Sequence, residues 1–433
     1  MAAALGVLVS CGSVKSGEEV VAASRDSKVV VAYVTSWSEV MPDPQYMTHI
    51  NYAFGHVNES FNGVKIDNEE RLRQIVDLRK QKPELKVLLS IGGWGSGRFS
   101  EMAANDEYRR AFAADCARVV KEFALDGIDI DWEYPTSSMA NISSSPDDTE
   151  NFTLLMQDIR AAIGNEKELT LATVASARYI DFKAILPSVD FVNIMAYDMA
   201  SAPKHHSALY PSGHSGDITS DGAVTAHLKA GVPPSKLVMG MPFYGRGGDG
   251  YPSFQDYNKV GNTDTQYTEK WDEVAQVPYL ADKNDTLVFG FENPRSLAIK
   301  CQYILDKDLL GGMYWDYSGD NEQGDLRRTV AENLLGKPHK AKVLVLTERG
   351  GQHGGFTDAG LRWLAAEGAK GNFSITEINN ARNITEAYLS QFSLVIQLDF
   401  PPYTWPKEAE DAFVKYIEAV SYTHLRAHET LRH

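Results

Sequence analysis

From residue 29 to about 336, short apolar runs rich in β-branched and aromatic residues alternate with longer stretches of helical periodicity. The runs are Val29–Thr35, His49–His56, Lys86–Ile91, Gly127–Glu133, Leu169–Ala175, Phe191–Tyr197, Leu237–Tyr244 and Gly311–Asp316. Between them, Phe112, Cys116, Val119, Val120 and Phe123 fall on one helical stripe, and Phe152, Leu155, Met156, Ile159 and Ile163 on another. Strand–helix units repeated in this way predict a (β/α)8 barrel over 29–336, since about 250 residues is typical before insertions. A doubly wound open sheet is the alternative reading. The rhythm breaks at Gly247–Glu292, a stretch rich in Tyr, Asp, Asn and Gly. It predicts a small insertion between the seventh strand and its helix, rising on the side where barrels build their clefts.

After Gly336-Lys337-Pro338 the pattern restarts with a strand at Lys342–Thr347 and a helix around Asp358–Ala366. A strand at Leu394–Phe400 and a helix at Lys407–Glu418 follow, giving an α/β fragment over 341–420 that is small for its class. Residues 421–433 carry His424, His428 and His433 with no apolar periodicity, and are expected to be foreign sequence rather than a metal site.

The 433 residues are 43% hydrophobic and 23% charged, a soluble globular composition with ample material for a core. A formal net charge of −16 argues against nucleic acid as a partner, because phosphate binding needs clustered Lys and Arg. Three cysteines are present. Cys116 and Cys301 lie on helical stripes and are expected to be buried, inert thiols. Cys11 follows the apolar stretch Ala2–Val9 within Leu8-Val9-Ser10-Cys11-Gly12, a run resembling a bacterial lipobox. Residues 1–28 are therefore expected to be a signal or lipoprotein segment and tether, with Cys11 lipidated; a plain cleaved signal peptide is the other reading. Either one exports the protein, to the cell surface or beyond.

The chemistry concentrates in Asp126-Gly127-Ile128-Asp129-Ile130-Asp131-Trp132-Glu133-Tyr134. On a strand Asp129, Asp131 and Glu133 share one face, while Ile128, Ile130 and Trp132 take the other. The apolar face of a barrel strand packs on helices, so the carboxylates point inward, with Glu133 nearest the mouth. Desolvation and repulsion make that arrangement costly, so folding does not explain it. Oxygen-rich metal binding is one outlet, though such sites usually draw ligands from several loops. Acid–base catalysis fits better: coupled carboxyls hold a proton on Glu133, which can donate it to a leaving oxygen.

The run resembles glycoside hydrolase family 18, the chitinase family, whose DxxDxDxE pattern is matched by Asp126, Asp129, Asp131 and Glu133. KVLLSIGGW at 86–94, FVNIMAYD at 191–198, LVMGMPFYGR at 237–246 and GGMYWDY at 311–317 resemble further family strands, in order. The resemblance implies a retaining, substrate-assisted reaction on β-1,4-linked N-acetylglucosamine. Glu133 would be acid and then base, Asp131 would orient the substrate's acetamido group, and Asp129 would share its proton. Tyr197 would bond the acetamido carbonyl, with Asp198, Met195 and Arg246 in the same subsite and Trp315 as its apolar floor. Tyr33, Phe54, Trp94 and Tyr244, near predicted strand ends, are further candidates for sugar stacking. Ser90, Gly92 and Gly93 are expected to be structural. His205 and His206, in a loop without a ligand pattern, are expected to be solvated.

No cofactor and no metal are implied, and the expected partner is chitin or its oligosaccharides, bound by a monomer. The alternatives are an endo-β-N-acetylglucosaminidase acting on N-glycans and a non-catalytic chitin-binding lectin. Residues 341–420 resemble the start of a ThuA-like (trehalose-utilisation) domain, as an incomplete appendage to which no activity is assigned.

Overall fold

A computed structural model describes residues 28–248, 251–260, 266–336, 342–347, 354–368, 373–382, 384–398 and 405–420. These divide into two compact units, one ending at Gly336 and one beginning at Lys337. Cys11 and residues 421–433 lie outside the described residues.

Eight parallel strands form the first unit: β1 (Val29–Thr35), β2 (His49–Val57), β3 (Lys86–Gly92), β4 (Gly127–Asp131), β5 (Glu168–Val174), β6 (Phe191–Met195), β7 (Leu237–Pro242) and β8 (Gly311–Trp315). Each pairs with the next, and β8 pairs with β1, so the sheet closes on itself and the open-sheet alternative fails. The apolar side of each strand packs outward: Ile128, Ile130 and Trp132 are buried in the layer between sheet and helices, where Trp132 stacks on Phe99 with ring centroids 5.3 Å apart. The two helices with predicted stripes are Asp106–Glu122 and Asp148–Ile163, and they bury Phe112, Cys116 and Val119, and Phe152, Leu155 and Met156, respectively. Cys116 and Cys301 are both fully buried, and burial raises both thiols.

Strands β4 and β6 end two residues sooner than the pattern predicts, at Asp131 and Met195. Beyond those points the chain reaches the barrel mouth and has no ladder partner, which leaves Glu133 and Tyr197 on strand exits rather than within strands. The insertion is a five-stranded antiparallel sheet, ordered 255–256, 244–247, 287–290, 277–281, 268–272, and it leads into the helix Pro294–Asp306. A fully buried pair anchors the joint: the Lys300 ammonium bonds Glu292, and also donates to the Ser207 carbonyl at 2.5 Å.

In the second unit the parallel strands Lys342–Thr347 and Leu394–Leu398 appear as the pattern predicts, with Ser374–Ile378 added on the other side of the first. That third strand alternates too little apolar surface to be seen in the sequence; it is an edge, half-exposed along its length.

Candidate active site

Register fixes the foundation of the site. Asp129 of β4 lies opposite Ser90 of β3 and Thr170 of β5, so two hydroxyls flank its carboxylate. Ser90 Oγ donates at 2.8 Å and Thr170 Oγ1 at 2.6 Å. Tyr33 reaches across the interior from β1 to donate at 2.8 Å, and Asn193 Nδ2 adds a bond at 3.3 Å. Asp129 is completely buried. Burial raises its carboxyl, and the four donors oppose that rise.

Asp131, one layer higher, is treated differently. It is 4% exposed, and its Oδ1 has no hydrogen-bond partner among the described residues. Burial, then the charges of Glu133 and Asp129, push this carboxyl well above the usual range. No hydrogen bond joins the two aspartates in this structure. Asp129's oxygens are already engaged by the hydroxyls and the amide around it. Gly92, in register with Asp131, sits at φ +132°, and a Cβ there would lie 2.0 Å from the Asp131 carbonyl oxygen. Only glycine permits β3 and β4 to approach so closely at this level.

Glu133 projects into the mouth. Burial raises its carboxyl, the hydrogen bond from Tyr134 opposes that rise and the Asp198 charge adds to it, leaving the group raised to about 7. Tyr134 Oη donates to Glu133 Oε2 at 2.9 Å. Such a group is protonated in a large fraction of molecules near neutral pH, as an acid catalyst requires.

Around this acid lies a cleft of about 640 Å³. Every sequence candidate except Asp129 and the undescribed Cys11 lines it: Asp131, Glu133, Tyr197, Asp198, Met195, Arg246, Tyr33, Phe54, Trp94, Tyr244 and Trp315. Asp129 sits beneath as a support. Trp315 stacks on Phe54 with centroids 5.6 Å apart, and Tyr33 and Trp37 tilt against it at 5.7 and 6.5 Å. Tyr197 Oη contacts the Met313 sulfur at 3.8 Å, and its phenol is raised by burial and then by the Asp131 and Glu133 charges. Arg246 grips Asp198 with two bonds of 2.7 Å, and although burial acts upward, this grip and His206 hold the Asp198 carboxyl below its ordinary value.

The histidine expectation is wrong. His205 and His206 are 2% and 0% exposed. The insertion covers them: His205 Nε2 pairs with Asp272 at 3.1 Å, and His206 packs on Tyr244 with Nδ1 3.5 Å from Asp198. No local pattern signals that burial, because the covering residues are distant in sequence. Also missed were Trp37, Tyr134 and Tyr179, which line the cleft as well. Tyr134 and Trp37 carried a signal, being aromatics within two residues of a catalytic candidate or a strand end; Tyr179, on a loop, carried none.

Residues 29–320 match the family profile of glycosyl hydrolases family 18. The chain belongs to that family. It is a glycoside hydrolase, and the acidic strand is where the family pattern and the perturbed carboxyls coincide. Among curated relatives, it is 30% identical over 409 residues to chitinase A1 of Niallia circulans, covering 70% of this chain and 58% of that one. Identity to chitotriosidase-1 of Mus musculus is 31%, over 68% of this chain and 74% of the relative. Among solved structures, a family 18 N-acetylglucosaminidase from Paenibacillus barengoltzii superposes with a TM-score of 0.66 at 32% identity, covering 71% of this chain and 99% of that one. A chitinase from Bacillus thuringiensis gives 0.66 at 26% identity, over 72% and 70%. The chain spans just over half the length of the Niallia relative, and most of the length of the others.

Proposed function

We propose that this chain is a chitinase, hydrolysing β-1,4 bonds between N-acetylglucosamine units with retention and with the substrate's own acetamido group as nucleophile. The observation that carries this reading is the pairing of a raised Glu133 carboxyl at the mouth with Asp131's unpaired oxygen just below it, in a cleft floored by Trp315. As the bond from the anomeric carbon to the leaving oxygen breaks, Glu133 gives that oxygen its proton. The acetamido carbonyl oxygen bonds to the anomeric carbon in its place, forming an oxazolinium ring. Asp131 accepts from the acetamido N–H, and so faces the positive charge that develops there. Tyr197 donates to the acetamido carbonyl oxygen and keeps it aimed. Water then adds to the anomeric carbon from the face the leaving group vacated, giving a proton to the Glu133 carboxylate and reopening the ring. Two displacements restore the starting configuration, and no enzyme nucleophile is needed.

Export with lipid attachment at Cys11 belongs to the same proposal; radiolabelled palmitate incorporated by the parent protein and lost on Cys11→Ser would support it, and unlabelled protein in the medium would refute the anchor.

Mass spectrometry of the products from N-acetylglucosamine hexamer and from an N-glycoprotein tests the substrate. Dimers and trimers from the hexamer, with the glycoprotein untouched, are expected. Release of N-glycans from the glycoprotein, with the hexamer untouched, would instead assign the cleft to an endo-β-N-acetylglucosaminidase, and stepwise monomer release from the hexamer to an N-acetylglucosaminidase.

A further inference from the structure

Outside the glycosidase chemistry, one cluster on the rim of the barrel holds a nucleophile, a base and a carboxylate in series. His56, near the end of β2, bonds Ser96 Oγ through Nδ1 at 2.8 Å and Asp67 Oδ2 through Nε2 at 3.0 Å. Three separate stretches of chain supply the three groups. Asp67 follows a short strand, Val64–Ile66, that pairs antiparallel with β2 and sets Lys65 opposite His56. The Asp67 N–H donates to the Phe54 carbonyl at 3.0 Å, and Tyr52 Oη donates to the Asp67 carbonyl at 2.9 Å, so its backbone is fixed. Ser96 lies on the loop after β3, in a turn closed by its N–H on the Gly93 carbonyl at 2.9 Å.

A carboxylate only accepts, so the bond to Asp67 places the imidazole proton on Nε2. Nδ1 is then left to accept from the Ser96 hydroxyl, which is the relation of base to nucleophile in a serine hydrolase, with the two ring nitrogens exchanged. The residue after the serine is Gly97, whose N–H has no acceptor among the described residues. It stands where a serine hydrolase draws one of its oxyanion donors. Ser96 is half-buried, and the side chains of His56 and Asp67 are 30% and 39% exposed, open to a substrate. Pairs this wet add little stability, so folding gives small reason to hold the three in line. The glycosidase reaction uses none of them. Yet the cluster borders the cleft: the His56 ring lies 6.3 Å from that of Phe54, which lines the cleft together with Trp94, two residues before Ser96.

We propose that Ser96, His56 and Asp67 form a second hydrolytic site, an esterase acting on short acyl groups carried by hydroxyls of the sugar chain in the cleft. His56 Nδ1 takes the Ser96 proton as Oγ bonds to the acyl carbon. The bond from that carbon to the sugar oxygen breaks, and the oxygen leaves with the proton from His56. Water then adds to the acyl carbon and gives a proton to His56. The bond to Oγ breaks, Ser96 regains its proton, and the carboxylic acid departs. Only the choice of a sugar as the alcohol rests on the glycosidase reading.

Two measurements on the full chain test it: acetate release from an O-acetylated N-acetylglucosamine hexamer, and labelling by a fluorophosphonate with mass spectrometry of the labelled peptide. The parent should release acetate and carry the label on Ser96. Ser96→Ala and His56→Gln should each lower acetate release by roughly 10³-fold while cleavage of the plain hexamer stays unchanged. Glu133→Gln should do the reverse. No acetate from the parent, or release that Ser96→Ala leaves undiminished, overturns the second site and leaves the glycosidase reading intact. A parent whose label misses Ser96 overturns it as well, and that result needs no variant to fold. Acetate released through Ser96 by a parent that leaves the plain hexamer whole would keep the esterase and overturn the glycosidase reading.

Discussion

Asp129 and Asp131 stand two residues apart on one face of one strand, and the protein treats them in opposite ways. The lower carboxylate accepts from Tyr33, Ser90, Thr170 and Asn193. The upper one keeps an oxygen without a partner and lies just below a second acid, Glu133, whose charge acts on it. Both are buried, so depth does not separate them. What separates them is the supply of donors, which ends where the strands end. Below that level a buried carboxylate is part of the scaffold; above it, the missing partner is left for the substrate to provide.

The sharpest break between the levels is expected at the acid itself. Glu133→Gln keeps the shape but has no proton to donate, so kcat should fall by roughly 10³-fold or more while hexamer binding, followed by calorimetry, is retained. Undiminished turnover would remove Glu133 from the chemistry. Next comes the contrast in stability between the aspartates. Asp129→Ala leaves four donors facing a void and should cost roughly 3 kcal/mol in denaturant titration. Asp131→Asn should slow turnover by about 100-fold yet raise the melting temperature at pH 8. The sign follows from linkage: the folded state resists charging Asp131, so ionisation subtracts stability as pH rises from the unfolded carboxylate value toward the raised folded one. At pH 4 the gain should vanish. Equal destabilisation by both substitutions would erase the distinction.

The finest test is a titration. With Glu133 raised to about 7, kcat/KM should fall tenfold per pH unit above that point, because only the protonated acid works. The Tyr134 hydrogen bond favours the charged form, so Tyr134→Phe should move this alkaline limb to higher pH. A limb that stays or moves lower would show that Tyr134 does not set the proton affinity of Glu133.

The barrel was legible because each strand buries one face against helices and the other in the interior, which writes a dense apolar run at every unit. The acids were legible for the opposite reason: three carboxylates on the inward face of such a run contradict the pattern around them. His205 and His206 were misread because a polar loop becomes interior only when the insertion, whose Asp272 lies 67 residues beyond His205, folds over it. The saturation of Asp129 was equally invisible. It depends on the register between β3, β4 and β5 and on Tyr33 crossing the barrel, and neither is encoded within the strand itself.

The central claim is that hydrolysis runs through two displacements at the anomeric carbon above Asp131, with no direct attack of water on the glycosidic bond. Proton NMR of the first minutes of hexamer hydrolysis reads the configuration of the newly formed reducing end before it mutarotates. The β-anomer should appear first and decay toward the equilibrium mixture. An α-anomer appearing first would mean direct attack by water, and would contradict the roles given to Asp131 and Glu133.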